Sequence, residues 1–184
     1  MSDYRRWFVA GGTYFFTLVT QDRRPILTTD DGRRFLRSAI RKVQESFPFE
    51  LIATCLLPDH WHLVMQLPKG DSNYSIRIKR IKTEFSRSWT TAGHGESSVS
   101  EARTRKGERG IWQPRFWEQT IQDETDLERC CDYIHWNPVK HGFVTRVQDW
   151  PWSSFHRFVK EGQYEINWGG TDPDACRTPR DWGE

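Results

Sequence analysis

A chain of 184 residues with 27 Lys/Arg, 25 Asp/Glu and a formal net charge of +2 has the size of one ordinary domain, enough to bury a real core and too little for a second. Mean hydropathy is low at −0.79, yet ten Trp and eleven Phe concentrate the apolar material in aromatics, which excludes a disordered composition. Four cysteines without C-x-x-C spacing argue against structural zinc or a disulfide framework, and no apolar run of signal or membrane-span length follows Met1, so a soluble cytoplasmic protein with reduced thiols is expected.

A basic, aromatic leader (Tyr4-Arg5-Arg6-Trp7-Phe8) reaches a Gly11-Gly12 break. Thr13 to Thr20, rich in β-branched and aromatic residues, predicts a first strand, closed by the basic loop Gln21-Asp22-Arg23-Arg24-Pro25. Thr29-Asp30-Asp31 offers N-cap groups for a helix to about Phe47, with Phe35, Leu36, Ala39, Ile40, Val43 and Phe47 as its apolar stripe. Phe49 to Leu57 reads as a second strand, paired through Pro58-Asp59 with a third.

That third stretch, His60-Trp61-His62-Leu63-Val64-Met65-Gln66-Leu67, alternates with period two. Trp61, Leu63, Met65 and Leu67 point one way, and His60, His62, Val64 and Gln66 the other. Same-face neighbours lie about 7 Å apart at Cα, so the two imidazoles can close on one divalent ion; paired strand histidines also occur as plain polar residues.

Ser75 to about Trp89 places Ile78, Ile81, Phe85 and Trp89 at helical spacing between Arg77, Lys79, Arg80 and Lys82, an amphipathic basic helix. From Lys69 to Arg115 eleven Lys/Arg face five Asp/Glu, either a solvated face or a surface for a polyanion. Residues 90–110 have the composition of a mobile loop or insertion. Ile111 to Gln122 predicts a fourth strand, and Asp123-Glu124-Thr125-Asp126 an acidic start for a helix to about Trp136, with Asn137-Pro138 at its end. The order strand, helix, strand, strand, helix, strand, helix predicts an α+β fold: a ferredoxin-like split β-α-β sheet with an additional C-terminal catalytic helix. Residues 1–160 form the domain and 161–184 a loosely packed tail.

Tyr133 and Asn137 are four apart and share a face of the last helix, beside a Leu127, Cys131 and Ile134 stripe. If that stripe docks on the sheet, Asn137 supplies an amide oxygen to His60 and His62, a mixed set suited to Mg²⁺ or Mn²⁺, with zinc as the alternative. Tyr133 is then a candidate nucleophile toward phosphorus. Tyrosine in water has a pKa of about 10, so a metal or a base must assist it. The competing readings are a core tyrosine and a helix-capping asparagine.

The pair His60-Trp61-His62 with Tyr133-x-x-x-Asn137 resembles the single-tyrosine HUH transposases, and more narrowly the REP-associated tyrosine transposases. Tyr4-Arg5-Arg6, Gly11-Gly12-Thr13, Trp112 to Glu118 and Asp149 to Arg157 extend the similarity over nearly the whole chain apart from residues 90–110 and the last fifteen or so. The resemblance implies a metal-dependent single-stranded DNA endonuclease and strand transferase acting at hairpins through a 5′-phosphotyrosine intermediate. Tyr133 would be the catalytic residue, and His60, His62 and Asn137 would hold Mg²⁺ or Mn²⁺; the wider superfamily often has glutamine in the Asn137 role. The implied partner is single-stranded hairpin DNA, the implied state monomer or homodimer, and the implied location the bacterial cytoplasm, associated with the nucleoid. Arg5, Arg6, Trp7, Arg23, Arg24, Lys79, Arg80, Lys82, Trp112, Arg115 and Trp117 combine cations with stacking surfaces as DNA-binding candidates, while His135 and His141 lie near Tyr133. The alternatives are a non-catalytic regulator of palindromic repeats and a metallohydrolase that activates water.

Overall fold

The structure is a computed structural model, and it describes residues 8–169. Four strands form one antiparallel sheet in the order β2-β3-β1-β4, with β1 at Thr13–Val19, β2 at Glu50–Leu56, β3 at His60–Gln66 and β4 at Trp117–Ile121. β1 and β2 flank β3 and are joined through α1 (Asp30–Ser46), the expected split β-α-β unit. A register shift between Leu51 and Ala53 marks a bulge in β2.

Strand alternation divides the interior into two layers. Tyr14, Phe16, Leu18, Trp61, Leu63 and Met65 meet α1 and α2 (Tyr74–Thr91) on one face. Phe15, Ala53, Cys55 and Val64 meet Cys130, Cys131, Tyr133 and Ile134 of α4 (Glu124–Lys140) on the other. The threonine cap of α1 accepts the Gly32 N–H at 3.1 Å, and its expected stripe is buried at Phe35, Leu36, Ala39 and Val43. In α2, Arg77 is buried rather than solvated. Its guanidinium meets Asp71 Oδ2 at 2.6 Å and the carbonyls of Pro48 and Asn73 at 2.7 and 2.9 Å, the pairing a buried charge requires.

Three boundaries differ from the sequence reading. The segment 92–110 contains a short helix, α3 (Glu101–Arg105), and is tied down by Arg24 to the Gly95 carbonyl, by the Arg109–Glu96 ion pair and by Arg103 to Glu108, Gln21 and the Trp112 carbonyl. These contacts span up to 82 residues, beyond the reach of local composition. The fourth strand is shorter than expected, because Ile111 and Trp112 turn into the α1/α2 core and Pro114 has no N–H for a ladder. α4 runs past Pro138 to Lys140; the proline costs only the bond to the residue 134 carbonyl in the last turn.

After α4, the chain passes a 3₁₀ turn at Val147–Asp149 and ends its regular structure in α5 (Phe155–Lys160). On the way it covers the outer edge of β2: Leu56 N–H bonds the Trp152 carbonyl at 2.9 Å, and Trp150 Nε1 the Leu56 carbonyl at 3.1 Å. An edge so covered no longer presents unpaired backbone groups there. Cys55, Cys130 and Cys131 are buried thiols. No helix among the described residues is long and apolar enough to cross a membrane.

Candidate active site

β3 turns His60 and His62 toward α4, with their rings 4.8 Å apart and nearly perpendicular at 83°. Each has its Nδ1 engaged: His60 Nδ1 lies 2.7 Å from Asp59 Oδ1, and His62 Nδ1 lies 2.9 Å from the Thr17 hydroxyl across the β1–β3 pairing. A carboxylate partner fixes the His60 N–H on Nδ1 and leaves a lone pair on Nε2, as in histidines that ligate metals. Burial raises the Asp59 pKa, but the His60 hydrogen bond and the Arg23 guanidinium at 3.1 Å outweigh it and hold the carboxyl at about 2.

His60 Nε2 is buried and makes no hydrogen bond. Such a group costs about 1–3 kcal/mol if nothing engages it, which fits a nitrogen built to ligate. Among the described residues no group of three His, Cys, Asp or Glu is placed to hold a metal ion. Asn137 is fully buried on α4, one turn beyond Tyr133. Two imidazole nitrogens and an amide oxygen suit a divalent ion of intermediate hardness that keeps open positions.

Tyr133 is 1% exposed and packs edge-on against His62 at 5.3 Å and Phe15 at 5.9 Å. Lys140 donates to its hydroxyl at 3.3 Å and lies 4.9 Å from the ring centroid. The His141 ring stands 5.0 Å from His60. His135, by contrast, points away from this chemistry. It bonds the Ser154 hydroxyl at 2.8 Å amid Phe158, Tyr164 and Phe155, and burial pushes its pKa down to about 3, so it is a neutral anchor for α5.

The DNA-binding candidates are scattered. Arg5, Arg6 and Trp7 lie outside the described residues. Arg23 pairs with Asp59 beside the histidines, and Arg24 holds the Gly95 carbonyl. Lys79, Arg80 and Arg115 are exposed, with Arg80 over the Phe47 ring at 5.1 Å. Lys82 is half-buried and donates to the Gln113 carbonyl at 2.6 Å; burial lowers its pKa to about 8. Trp112 is 3% exposed and wedged against Phe85, so as a core side chain it has no face for a base. Trp117 is half-buried against Phe15 at 5.6 Å. Sequence reading passed over Lys140 and Thr17. Lys140 could have been found, since seven residues is two helical turns from Tyr133; Thr17 depends on strand register.

The family model described as "Transposase IS200 like" matches residues 9–137, ending on Asn137. A REP-associated tyrosine transposase of Escherichia coli K12 is 42% identical over 174 residues, 95% of this chain and 94% of that one. A Haemophilus influenzae protein provisionally given the same name is 51% identical over 95% of this chain and 96% of its own. A solved REP-associated tyrosine transposase bound to a REP hairpin superimposes with a TM-score of 0.75 at 41% identity, covering 98% of this chain and all of that one. The chain belongs to the REP-associated tyrosine transposases, within the IS200-like transposase family.

Proposed function

We propose that this transposase cleaves and rejoins single-stranded DNA beside a hairpin, with Tyr133 as nucleophile and a divalent cation, Mg²⁺ or Mn²⁺, held by His60, His62 and Asn137. The observation that carries the proposal is the contact between Tyr133 on α4 and His62 on β3, two residues 71 positions apart that the fold brings ring to ring. A divalent cation bound there would polarise a phosphate oxygen and neutralise charge developing at phosphorus.

The chain's own groups do the rest. The Tyr133 oxygen attacks the phosphorus, forming an oxygen–phosphorus bond to the 5′ side while the bond to the 3′ oxygen breaks. The phenol proton leaves and the departing 3′ oxygen becomes a hydroxyl, so the proton count balances. Lys140 favours the ionised phenol by donating to its oxygen. The 3′ hydroxyl, or one from another strand, reverses the step and restores the tyrosine. The hairpin partner is supported by the solved relative bound to a REP hairpin.

The test mixes the protein with labelled single-stranded hairpins carrying flanks, with Mg²⁺ or Mn²⁺, on denaturing gels beside Tyr133→Phe. A metal-dependent covalent adduct absent from the variant is the expected result. Cleavage that survives the substitution would transfer the activity to a water nucleophile, and binding without any cleavage would favour a regulator of palindromic repeats.

A further inference from the structure

Phe143 occupies a position that the chemistry above does not use. Its side chain is 45% exposed, and its backbone is fixed by a glycine cap at the end of α4. His141 N–H bonds the Asn137 carbonyl, Gly142 N–H the Val139 carbonyl, and Phe143 N–H the Pro138 carbonyl at 3.0 Å. Gly142 has φ +70°, the left-handed conformation this cap requires and glycine adopts without penalty. Phe143 is thus presented from the end of the catalytic helix at a set angle rather than from a loose loop.

Its ring is also backed. It lies 5.4 Å from Trp150 at 31°, and Trp150 is held by its Nε1 bond to the Leu56 carbonyl and by edge contact with Trp152 at 4.8 Å. His141 stands 6.1 Å from Phe143 and 5.0 Å from His60. A row of rings therefore leads outward from a candidate metal ligand to an exposed aromatic. Lys140 precedes His141 at the end of α4, and the Arg33 guanidinium lies 5.0 Å over Trp152.

We infer that Phe143 is the stacking platform for one unpaired base of the DNA strand, next to the phosphate that Tyr133 attacks. The inference rests on the function proposed above and adds to it a contact that orients the strand. An exposed ring backed by a second ring suits any nucleobase, because every base has a π-face, and the neighbouring cations suit the phosphates on either side. A protein partner fits less well. The exposed apolar surface is about one ring wide, far below the extent of a stable protein interface.

The test is a binding measurement in the Tyr133→Phe background, where DNA stays uncut. Fluorescence anisotropy is recorded with a REP-type hairpin oligonucleotide bearing single-stranded flanks, and with the same oligonucleotide carrying one abasic site moved nucleotide by nucleotide. One flank position is expected to weaken binding about 5- to 100-fold when its base is removed. Phe143→Ala should weaken intact DNA by a similar factor and erase the penalty at that position alone, while Phe143→Trp restores it. Circular dichroism melts check that each variant is folded. Unchanged binding by folded Phe143→Ala, or an abasic penalty that persists undiminished in it, would overturn the inference. Since the readout needs no tyrosine hydroxyl, a failure of Tyr133 as nucleophile shows up separately, in the adduct gel.

Discussion

The ammonium of Lys140 lies 3.3 Å from the hydroxyl of Tyr133, seven residues earlier on the same helix. In the cleavage proposed above, a charged donor at this oxygen would hold the phenol in place and favour loss of its proton. Hydrogen bonds to charged groups contribute about 1.5–3 kcal/mol, so Lys140→Met should slow adduct formation by about 10- to 150-fold. Lys140→Arg keeps the charge and should recover part of the rate. The measurement is single-turnover adduct formation at saturating protein. A rate for Lys140→Met within twofold of wild type would remove Lys140 from the chemistry.

On the proposed reading, Asp59 would act on the metal through His60. Its carboxylate accepts from Nδ1 at 2.7 Å, and partners of this kind typically contribute 10- to 100-fold in metal affinity. Asp59→Asn should therefore raise the Mn²⁺ concentration needed for half-maximal adduct formation by about 10- to 100-fold, with little change in the rate at saturating Mn²⁺. Titration calorimetry of Mn²⁺ binding gives an activity-independent check.

Lys82 should make stability rise with pH. Its folded pKa is lowered to about 8, below the ordinary lysine value of about 10.4. Between these values the unfolded chain binds more protons than the folded one, so unfolding becomes more costly as pH increases; the gain is complete above the ordinary value and lost as pH falls through about 8. With a discount for solvent screening of a half-buried group, the gain is about 1–2 kcal/mol. Urea melts of wild type and Lys82→Met across this window should diverge steadily, and parallel curves would contradict the shift.

The seat of α4 is a packing site the proposed chemistry depends on. Ile134 is fully buried among Ala53, Cys55 and Val64, so Ile134→Ala should cost about 2–5 kcal/mol in a urea melt. The same variant should lose adduct formation more steeply than its folded fraction explains. A fall in activity that merely tracks that fraction would mean the helix holds its position despite the cavity.

Much of the fold was legible in the sequence. Period-two alternation correctly assigned Trp61, Leu63 and Met65 to one layer and Val64 to the other, because a strand with two buried faces leaves each residue a single place to go. Helical spacing put Tyr133 and Asn137 on one face. The face of the histidines carried less information, since the alternation of β3 is the same whether that face meets solvent or α4. Composition misjudged Trp112 and Arg77, whose burial depends on partners far along the chain. Pro138 marked a helix end one turn too early, because near a C-terminus the bond it removes is one of the last.

The two histidines travel on one strand, and the tyrosine and asparagine travel one turn apart on one helix. Assembly of the centre therefore reduces to a single variable, the separation between β3 and α4. On the reading proposed above, a shift of that helix would withdraw Tyr133 and Asn137 from the histidines together. For the strand cleavage proposed above, coupling competence to one rigid-body contact would make the hazardous state an all-or-none event.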